Sequence, residues 1–346
     1  MKKIMFYINA IHHGGAERVM VNLASEFVKN GNECVLVTSF TDSWEYSFDS
    51  RVKRISLFEK PLRNFIVRNI RLIANLRKVI KEENPDTILS FMAEPNFRSI
   101  IACCGLNVKR IISVRNDPNR EYPNFLFRFF AKALFRFADH VVFQTEDAQR
   151  WFPKSIQQKS SVILNPVADE FFSTHFEGER HDIVTTGRLV SQKNHKLLIK
   201  AFAQIANMIE DNLYIYGEGE LRQELETLIS DLGLKNRVFL PGAVKNVADT
   251  IKSAKLFVLS SDYEGAPNSL MEAMALGIPC ISTSCPCGGP RMLLNDDFLV
   301  DVNDDVQLGD KLLKVNDLRF FKDNYKINAT VFHQHFIAKD WLKVLL

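Results

Sequence analysis

Two glutamates, Glu264 and Glu272, stand eight positions apart in the second half of this 346-residue chain. The apolar run at 256–259 that precedes them is typical of a buried strand. Pro267 suits a helix start, where its missing N–H has no cost, and Gly277 is typical of a helix end. The pattern therefore predicts Glu264 in a loop at the carboxyl end of a strand and Glu272 in the following helix. In open α/β sheets ligands bind at that edge, and a helix start favours an anion.

An alternative interpretation needs no ligand. Both glutamates can be surface charges near a helix N-terminus, each stabilising the helix dipole by about 0.3–1 kcal/mol. Other segments of the same half bear on the choice between the two.

A second strand-to-loop junction supplies positive charge. Gly187 and Arg188 follow the apolar residues 183–184, and Lys193 comes just before a helical pattern. Arginine offers phosphate a planar fork and lysine a compact ammonium group, so two cations on such a loop match the charge of a diphosphate. Either one taken alone is more commonly a solvated loop cation.

Two further junctions follow in the same half. Gly217 and Gly219 end an apolar strand and permit close backbone approach, although a lone Gly-x-Gly is weak by itself. Phe239 precedes a Pro-Gly pair and is placed either to line a base pocket or to pack in the core.

Together these segments resemble glycosyltransferase family 4, the retaining nucleotide-sugar transferases of GT-B fold. The resemblance extends from about residue 4 to about residue 294, with the segments in the family's order. The segments that carry it are Gly14-Gly15-Ala16-Glu17-Arg18, Gly187-Arg188-Leu189 with Lys193-Asn194, Tyr216-Gly217-Glu218-Gly219, Phe239-Leu240-Pro241-Gly242, Glu264 with Glu272, and Cys285-Pro286-Cys287-Gly288-Gly289-Pro290-Arg291. They are specific for the family and much less specific for the substrate.

The resemblance implies a role for each motif. Arg188 and Lys193 would hold the donor diphosphate, and Glu272 would accept hydrogen bonds from the ribose hydroxyls. Glu264 would contact the donor sugar, and Gly15 would let the N-terminal loop approach the diphosphate. The implied donor-binding residues are Gly14, Gly15, Gly187, Gly217, Phe239, Gly265, Ala266, Pro267, Asn268, Ser269 and Glu272, and the implied catalytic residues are Glu264, Arg188, Lys193, Arg115 and Asn116.

The family's chemistry gives Glu264 no covalent role. The resemblance implies reaction on the front face of the sugar, with the departing phosphate helping to deprotonate the acceptor. Catalysis would then come from positioning and charge stabilisation. The chain has no Asp-x-Asp motif of the kind that metal-dependent transferases use. We therefore expect no metal and no cofactor besides the nucleotide-sugar substrate.

One stretch departs from the family pattern. Related enzymes often carry a histidine at the end of an N-terminal-domain strand, where this chain has Arg115 and Asn116. Either side chain can hydrogen-bond a sugar or a phosphate, whereas Arg115 can also pair with Asp117 or position its loop. His12 and His13, just before the glycine pair, are separate candidates.

The organisation of the chain favours two domains. Strand-like and helical runs alternate in both halves, which predicts two doubly wound α/β domains, and by the resemblance these face a cleft as in GT-B. We expect an acceptor-binding domain over 1–168, a linker over 169–180, a nucleotide-sugar-binding domain over 181–325 and a final helix over 326–346 that returns to the first domain.

The six cysteines include one Cys-x-Cys without a second pair, so reduced thiols are favoured over a zinc site.

Charge is distributed unevenly along the chain. Residues 51–137 hold 18 Lys and Arg against 7 Asp and Glu, a charge of +11, while the whole chain carries +3. Two helical segments within this region carry the cations Arg68, Arg71 and Lys78, and Arg128, Lys132 and Arg136. Basic helices among aromatics favour a membrane surface over a solvated face, and they could also bind the diphosphate of a lipid-linked acceptor. No nucleic-acid motif accompanies the charge.

The sequence thus predicts a cytoplasmic, peripheral-membrane glycosyltransferase with no membrane-spanning helix and no signal peptide. It would move a sugar from a nucleoside diphosphate to a growing polyprenyl-diphosphate-linked glycan in surface polysaccharide synthesis. UDP-sugars are the first expected donors, and GDP-sugars are the second. Two alternatives stay open: a nucleotide-sugar epimerase of the same fold, and a non-catalytic subunit that binds nucleotide sugars.

Overall fold

The computed structural model describes residues 2–12, 14–41, 45–58, 64–317, 319–321 and 323–345. The chain divides into two compact units, one formed by Met1–Pro166 with His335–Leu346 and the other by Val167–Gln334. Each unit has its own parallel sheet, which confirms the predicted pair of doubly wound α/β domains. Residues 169–180, expected to be a linker, lie in the second unit, where Phe171 is buried.

The first unit contains a seven-stranded sheet. Its strands are β1 Lys3–Ile8, β2 Glu33–Phe40, β3 Lys53–Phe58, β4 Thr87–Phe91, β5 Lys109–Ser113, β6 His140–Phe143 and β7 Ser160–Val162. They pair in parallel in the order β3-β2-β1-β4-β5-β6-β7. The helices are α1 Gly15–Lys29, α2 Phe65–Glu83, α3 Ala93–Ala102, α4 Pro118–Glu121, α5 Phe125–Leu134, α6 Glu146–Arg150 and α7 Lys154–Gln157.

The central strand β1 feeds a core on each face of this sheet because successive side chains of a strand alternate in direction. Phe6 packs with Phe27 of α1 on one face. Tyr7 joins the cluster that contains Leu72 and Leu76 of α2 on the other face. The carboxyl ends of all seven strands therefore meet at one edge, between two helical layers.

The second unit contains a six-stranded parallel sheet. Its strands are β8 His181–Thr186, β9 Leu213–Tyr216, β10 Val238–Gly242, β11 Ala254–Leu259, β12 Cys280–Thr283 and β13 Leu299–Val300, in the order β10-β9-β8-β11-β12-β13. Its helices are α8 Glu170–Ser173, α9 His195–Ile205, α10 Arg222–Asp231, α11 Val247–Ile251, α12 Asn268–Ala275, α13 Gly289–Leu293 and α14 Asp305–Leu312. Strand order makes β8 the neighbour of β11, so the loops that follow these two strands meet at the carboxyl edge.

The final helix, α15 Gln334–Leu345, packs in the first unit. Trp341 is fully buried, and its ring centroid lies 5.7 Å from that of Phe91 at the end of β4. The Thr87 hydroxyl donates to the Leu345 carbonyl at 3.0 Å. The predicted return of the terminal helix to the first domain thus rests on an aromatic contact and a hydrogen bond from a side chain to the backbone.

Candidate functional site

The loops after β8 and β11 bring Lys193 and Glu264 into direct contact. Lys193 Nζ lies 2.6 Å from Glu264 Oε1, and Ser261 Oγ donates to the same oxygen at 2.8 Å. Both side chains of the ion pair are largely buried, with exposed fractions of 17% for the lysine and 10% for the glutamate. Glu264 is therefore fixed by two donors, and its charge is balanced by Lys193.

Backbone hydrogen bonds join the same two loops into one unit. The Asp262 N–H donates to the Gln192 carbonyl at 2.9 Å, and the Gln192 side-chain amide donates to the Tyr263 carbonyl at 3.0 Å. Ser260 Oγ donates to the Lys193 carbonyl at 2.9 Å. The geometry of the Lys193–Glu264 pair is thus held by the main chain as well as by its own ion pair.

Asn194 and His195 fix the start of α9. Asn194 adopts a left-handed conformation with φ of 43°, and its side chain accepts from the Leu197 N–H and donates to Asp262 Oδ1 at 2.7 Å. The ring of His195 contacts the Arg188 carbonyl through Nε2 at 3.2 Å, and since a carbonyl only accepts, Nε2 carries the proton. Burial lowers the pKa of His195 to about 4. Sequence reasoning missed this histidine, although its position beside Lys193-Asn194 was a signal.

Arg188 differs from Lys193 in exposure and in pairing. Its side chain is exposed, and within the described residues its guanidinium forms no ion pair. A Cβ placed on the adjacent Gly187 would touch the Lys193 side chain at 3.4 Å, so the glycine lets that lysine lie across the loop. The loop after β8 therefore combines one buried, paired cation with one exposed cation.

Gly217 and Gly219 serve contacts between the ends of β8 and β9. A Cβ on Gly217, where φ is 153°, would lie 1.9 Å from the Gly187 carbonyl oxygen. A Cβ on Gly219 would lie 2.4 Å from the Leu189 carbonyl oxygen. The close approach predicted for these glycines is thus an approach to the neighbouring loop of the same unit.

Glu272 lies in the second turn of α12, where only 6% of its surface is exposed. Pro267 occupies the N-cap position of this helix and provides no side-chain cap. Ser269 Oγ is buried and finds no hydrogen-bond partner among the described residues. A Cβ on Gly289 would lie 1.7 Å from the Gly265 carbonyl oxygen, so α13 packs directly against the segment that leads into α12.

Phe239 belongs to a short aromatic stack along β9 and β10, and it is the register partner of Tyr214 near the start of the two strands. Its ring centroid lies 5.0 Å from that of Tyr214, which in turn stacks 6.1 Å from Tyr216. Phe239 is half-buried, so it packs against the sheet edge and still presents a face to solvent.

Arg115 lies buried at the carboxyl edge of the first unit, with 8% of its surface exposed. Its guanidinium carbon lies 4.3 Å from the ring centroid of Phe91, and Nη2 donates to Asn165 Oδ1. Nε has no hydrogen-bond partner within the described ranges. Asp117, the alternative partner from the sequence, instead accepts from the Asn119 N–H and caps α4. Burial lowers the pKa of Arg115 to about 9.

Glu121 is a second titratable group at this edge that sequence reasoning did not single out. Its carboxylate accepts from the Arg115 N–H at 3.2 Å and from the Tyr122 hydroxyl at 3.4 Å. Burial raises the pKa of Glu121 to about 7. Asn116 Oδ1 accepts from the Asp117 N–H at 2.8 Å, so the predicted Arg115–Asn116 pair lies in a loop stabilised by its own side chains.

The glycine-rich loop of the first unit leads into α1. Gly14 is the N-cap residue and Gly15 the first residue of the helix. A Cβ on Gly14 would lie 1.8 Å from Glu17 Oε2, so the Glu17 side chain folds back over the helix start. His12 lies within the described residues, whereas His13 lies outside them.

The second set of predicted membrane-facing cations, Arg128, Lys132 and Arg136, does not lie together on one outward face of a helix. Arg128 Nε donates to the Tyr122 carbonyl at 3.1 Å, and Lys132 Nζ lies 4.3 Å from the Trp151 ring centroid. Arg136 falls beyond the end of α5, in the 3₁₀ turn Phe135–Phe137. Two of the three cations therefore fold back onto the protein.

The cations of α2 differ among themselves. Arg68 stacks at 5.3 Å on Phe65, and Arg71 is exposed. Lys78 pairs with Glu82 at 3.8 Å across one exposed helical turn. Arg68 and Arg71 therefore lie near the start of α2, close to its exposed aromatic and aliphatic side chains, whereas Lys78 lies further along the helix.

Family models match most of the chain. The model described as "Glycosyltransferase Family 4" covers residues 13–171, and that described as "Glycosyl transferases group 1" covers residues 167–331. Both fall on the units that the structure separates.

The chain is also similar to bacterial proteins named as glycosyltransferases. A Campylobacter jejuni protein, GalNAc-alpha-(1->4)-GalNAc-alpha-(1->3)-diNAcBac-PP-undecaprenol alpha-1,4-N-acetyl-D-galactosaminyltransferase, is 31% identical over 100% of this chain and 98% of its own. The Escherichia coli UDP-Gal:alpha-D-GlcNAc-diphosphoundecaprenol alpha-1,3-galactosyltransferase is 34% identical over 73% of this chain and 72% of its own. Among solved structures, Anabaena Alr3699/HepE in complex with UDP and glucose has a TM-score of 0.84 at 18% identity, over 100% of this chain and 99% of that one.

Proposed function

This chain belongs to glycosyltransferase family 4, and from that premise we propose a retaining, metal-independent enzyme that transfers a sugar from a UDP-sugar to a lipid-linked glycan. The glycan would be carried on a polyprenyl diphosphate during surface polysaccharide synthesis. The epimerase considered from the sequence gains no support, because the relatives described above are named as transferases.

The proposal rests on one observation: the Lys193–Glu264 ion pair is buried and held by hydrogen bonds, and Arg188 is exposed beside it. Oε1 of Glu264 already accepts from Lys193 and Ser261, so this carboxylate is a poor nucleophile and a well-oriented acceptor for sugar hydroxyls. Arg188 is exposed on the loop after β8, so its guanidinium can bind a diphosphate. The geometry supports a positioning role for Glu264 rather than a covalent one.

The reaction then depends on charge stabilisation of the leaving group. Arg188 and Lys193 would bind the diphosphate as the bond to the sugar breaks, and the departing phosphate oxygen would take the proton of the attacking acceptor hydroxyl. Attack on the face from which the diphosphate leaves retains the anomeric configuration. Glu272 would bind the ribose diol, and the Phe239 stack would lie against the base.

Arg188, with the ammonium group of the paired Lys193 as a hydrogen-bond donor beside it, would supply the counter-charge that a divalent metal provides in other transferases. Among the described residues no cluster of three His, Cys, Asp or Glu side chains is arranged to hold a metal ion. We therefore expect turnover to persist in excess EDTA. Loss of turnover in EDTA, with recovery on adding Mg²⁺ or Mn²⁺, would contradict the metal-independent proposal.

The acceptor and the location of the enzyme are part of the same proposal. Both bacterial relatives are named for substrates that carry diphosphoundecaprenol or PP-undecaprenol. The first unit includes the segment of charge +11, which favours an anionic surface or the diphosphate of such a lipid. Among the described helices, none is both long and apolar enough to cross a bilayer. We propose peripheral association with the inner face of the plasma membrane.

The first experiment is thermal-shift binding of UDP, GDP and ADP without metal. We expect UDP to raise the melting temperature most, since ligand that binds only the folded state stabilises it by mass action. Turnover of a UDP-sugar panel with a polyprenyl-diphosphate glycan then separates an enzyme from a non-catalytic subunit. Donor binding without transfer to any such acceptor would favour the subunit.

A further inference from the structure

Helix α5 presents an unusually apolar surface to solvent. Its side chains Phe125, Leu126, Phe129 and Phe130 have exposed fractions of 79%, 62%, 58% and 50%. These positions recur at one- and four-residue intervals, so they share one face of the helix. Ala131 is the buried residue of α5. Contiguous exposed apolar side chains of this size mark an interaction surface.

Helix α2 shows the same feature over its first two turns. Phe65, Ile66 and Ile70 have exposed fractions of 53%, 68% and 62%. The buried face of the helix begins later, at Leu72 and Leu76. The first two turns of α2 therefore project their apolar residues away from the core of the unit.

The two apolar faces flank the same helix, α3. The Phe97 ring of α3 lies 6.1 Å from the ring of Phe127 on α5. The next residue of α3, Arg98, donates through Nε to Asn69 Oδ1 of α2 at 2.8 Å. Asn69 of α2 and Phe127 of α5 therefore contact α3 at two consecutive residues. We call the exposed apolar residues of both helices, Phe65, Ile66, Ile70, Phe125, Leu126, Phe129 and Phe130, the apolar ridge.

The charge around the apolar ridge is entirely positive within its two helical segments. Residues 125–134 contain no Asp or Glu, and neither do residues 65–81. Arg128 and Lys132 contact Tyr122 and Trp151 and are partly buried, so the apolar side chains are the more exposed part of α5. An outermost apolar layer with cations behind it matches a bilayer, in which anionic headgroups overlie acyl chains.

We propose that the apolar ridge inserts into the interfacial region of an anionic bilayer, with Arg68, Arg71 and Arg128 at the level of the lipid phosphates. The proposal rests on the proposed function, since a polyprenyl-diphosphate acceptor is presented at such a surface. It changes the interpretation of the basic residues: apolar insertion supplies most of the binding, and the cations add selectivity for anionic lipid.

The test measures binding of the full chain to vesicles of phosphatidylcholine with and without phosphatidylglycerol. We expect the variant Phe125→Ser/Leu126→Ser/Phe129→Ser/Phe130→Ser to lose vesicle affinity by a factor on the order of ten or more. The wild-type protein should keep substantial binding to anionic vesicles in about 1 M salt, where the Debye length is about 3 Å. The matched control is Met208→Ser/Val306→Ser, which removes two residues of the second unit that are 69% and 59% exposed.

Each outcome bears on the proposal directly. The ridge variant should keep the UDP thermal shift and the wild-type melting temperature, which would show that it folds. Unchanged vesicle binding by the folded variant, or complete loss of wild-type binding in salt, would overturn apolar insertion. A wild-type dimer in sedimentation that becomes monomeric in the ridge variant, without vesicle binding, would assign the ridge to a second copy of the chain. Absence of glycosyl transfer with intact vesicle binding would instead count against the proposed function alone.

Discussion

Lys193 and Arg188 show how two cations on one loop acquire different roles. Lys193 is buried against Glu264, whereas Arg188 is exposed. A buried, paired lysine orients its partner, and an exposed arginine retains its full capacity to bind an anion. The distinction could not be read from the sequence, where both residues are cations on the loop that follows the same strand.

Replacing Arg188 by alanine should weaken UDP binding while leaving stability unchanged. The guanidinium is exposed, so we expect the free energy of unfolding to change by less than about 0.5 kcal/mol. Loss of charged hydrogen bonds to the diphosphate should cost about 1.5–3 kcal/mol of binding free energy. Titration calorimetry with UDP measures the change in binding free energy. The control is Arg319→Ala, because the Arg319 side chain is 94% exposed. Equal UDP affinity in both variants would show that Arg188 is a solvated loop residue.

Replacing Glu272 by glutamine or alanine tests the ribose assignment. The carboxylate is buried in α12, and loss of its hydrogen bonds to a diol should weaken UDP affinity by about 1–3 kcal/mol. The glutamine variant preserves volume, so it separates lost hydrogen bonding from lost packing. If both variants bind UDP as tightly as wild type, Glu272 has no part in ribose binding.

His195 should make the second unit sensitive to acid. Its pKa is lowered to about 4 in the folded state by burial, from 6.5 in an unfolded chain. The unfolded state therefore binds the proton more tightly, and stability is fully present above pH 6.5 and falls as the pH drops towards 4. The shift corresponds to about 3 kcal/mol.

The matching variant is His195→Gln, whose side-chain amide can still donate to the Arg188 carbonyl. We expect it to lose less stability than wild type between about pH 7.5 and pH 5, measured by urea unfolding. An identical pH dependence in the two proteins would show that His195 is not the titrating group.

At the scale of elements, the loops at the carboxyl edge are shaped by contacts between glycines and neighbouring backbone. Gly217 meets the loop after β8, and Gly289 meets the segment before α12. These contacts hold the predicted donor-binding segments against each other. The glycines therefore act through the packing of the loops and need not touch a ligand.

Replacing Gly289 by alanine should disturb the donor segment. The new Cβ would lie 1.7 Å from the Gly265 carbonyl oxygen, so α13 or the loop must shift. We expect a loss of about 1–3 kcal/mol in stability, typical of overpacking, and weaker UDP binding. Gly309→Ala in α14 is the control, since its Cβ would meet the flexible Gln204 side chain at 3.3 Å. Wild-type melting and affinity in Gly289→Ala would contradict this account.

At the scale of the whole molecule, the chain returns to its first unit at its end. Helix α15 contributes Ile337, Trp341 and Leu345 to the core beside β1 and β4. The first unit is therefore discontinuous in sequence, and its stability depends on residues that follow the second unit.

Trp341→Ala should destabilise the first unit selectively. Removing a fully buried tryptophan from a packed core costs about 3–5 kcal/mol. Phe336→Ala, on the same helix but 51% exposed, should cost far less. Hydrogen exchange, resolved by segment, checks whether residues of β1 and β4 lose protection first. Equal loss across both units would show that they unfold together.

Local patterns in the chain predict the order of strands, loops and helices and the positions of the site residues along it. Glu264 after β11 and Glu272 in α12 follow from local apolar runs and helix start signals, because such signals depend only on residues close in the chain. The family resemblance likewise rests on short motifs whose order is preserved.

Which of these residues contact one another, and which surfaces face solvent, depends on how the elements pack. Lys193 contacts Glu264 across 71 positions because strand order places β8 beside β11, and no local pattern encodes strand order. The phenylalanines of α5 permit several core-facing sides, and the packing of α3, Tyr122 and Trp151 leaves one outward. Burial is a property of the assembled unit, so the outward face of a helix rich in aromatics is settled only when its neighbours are in place.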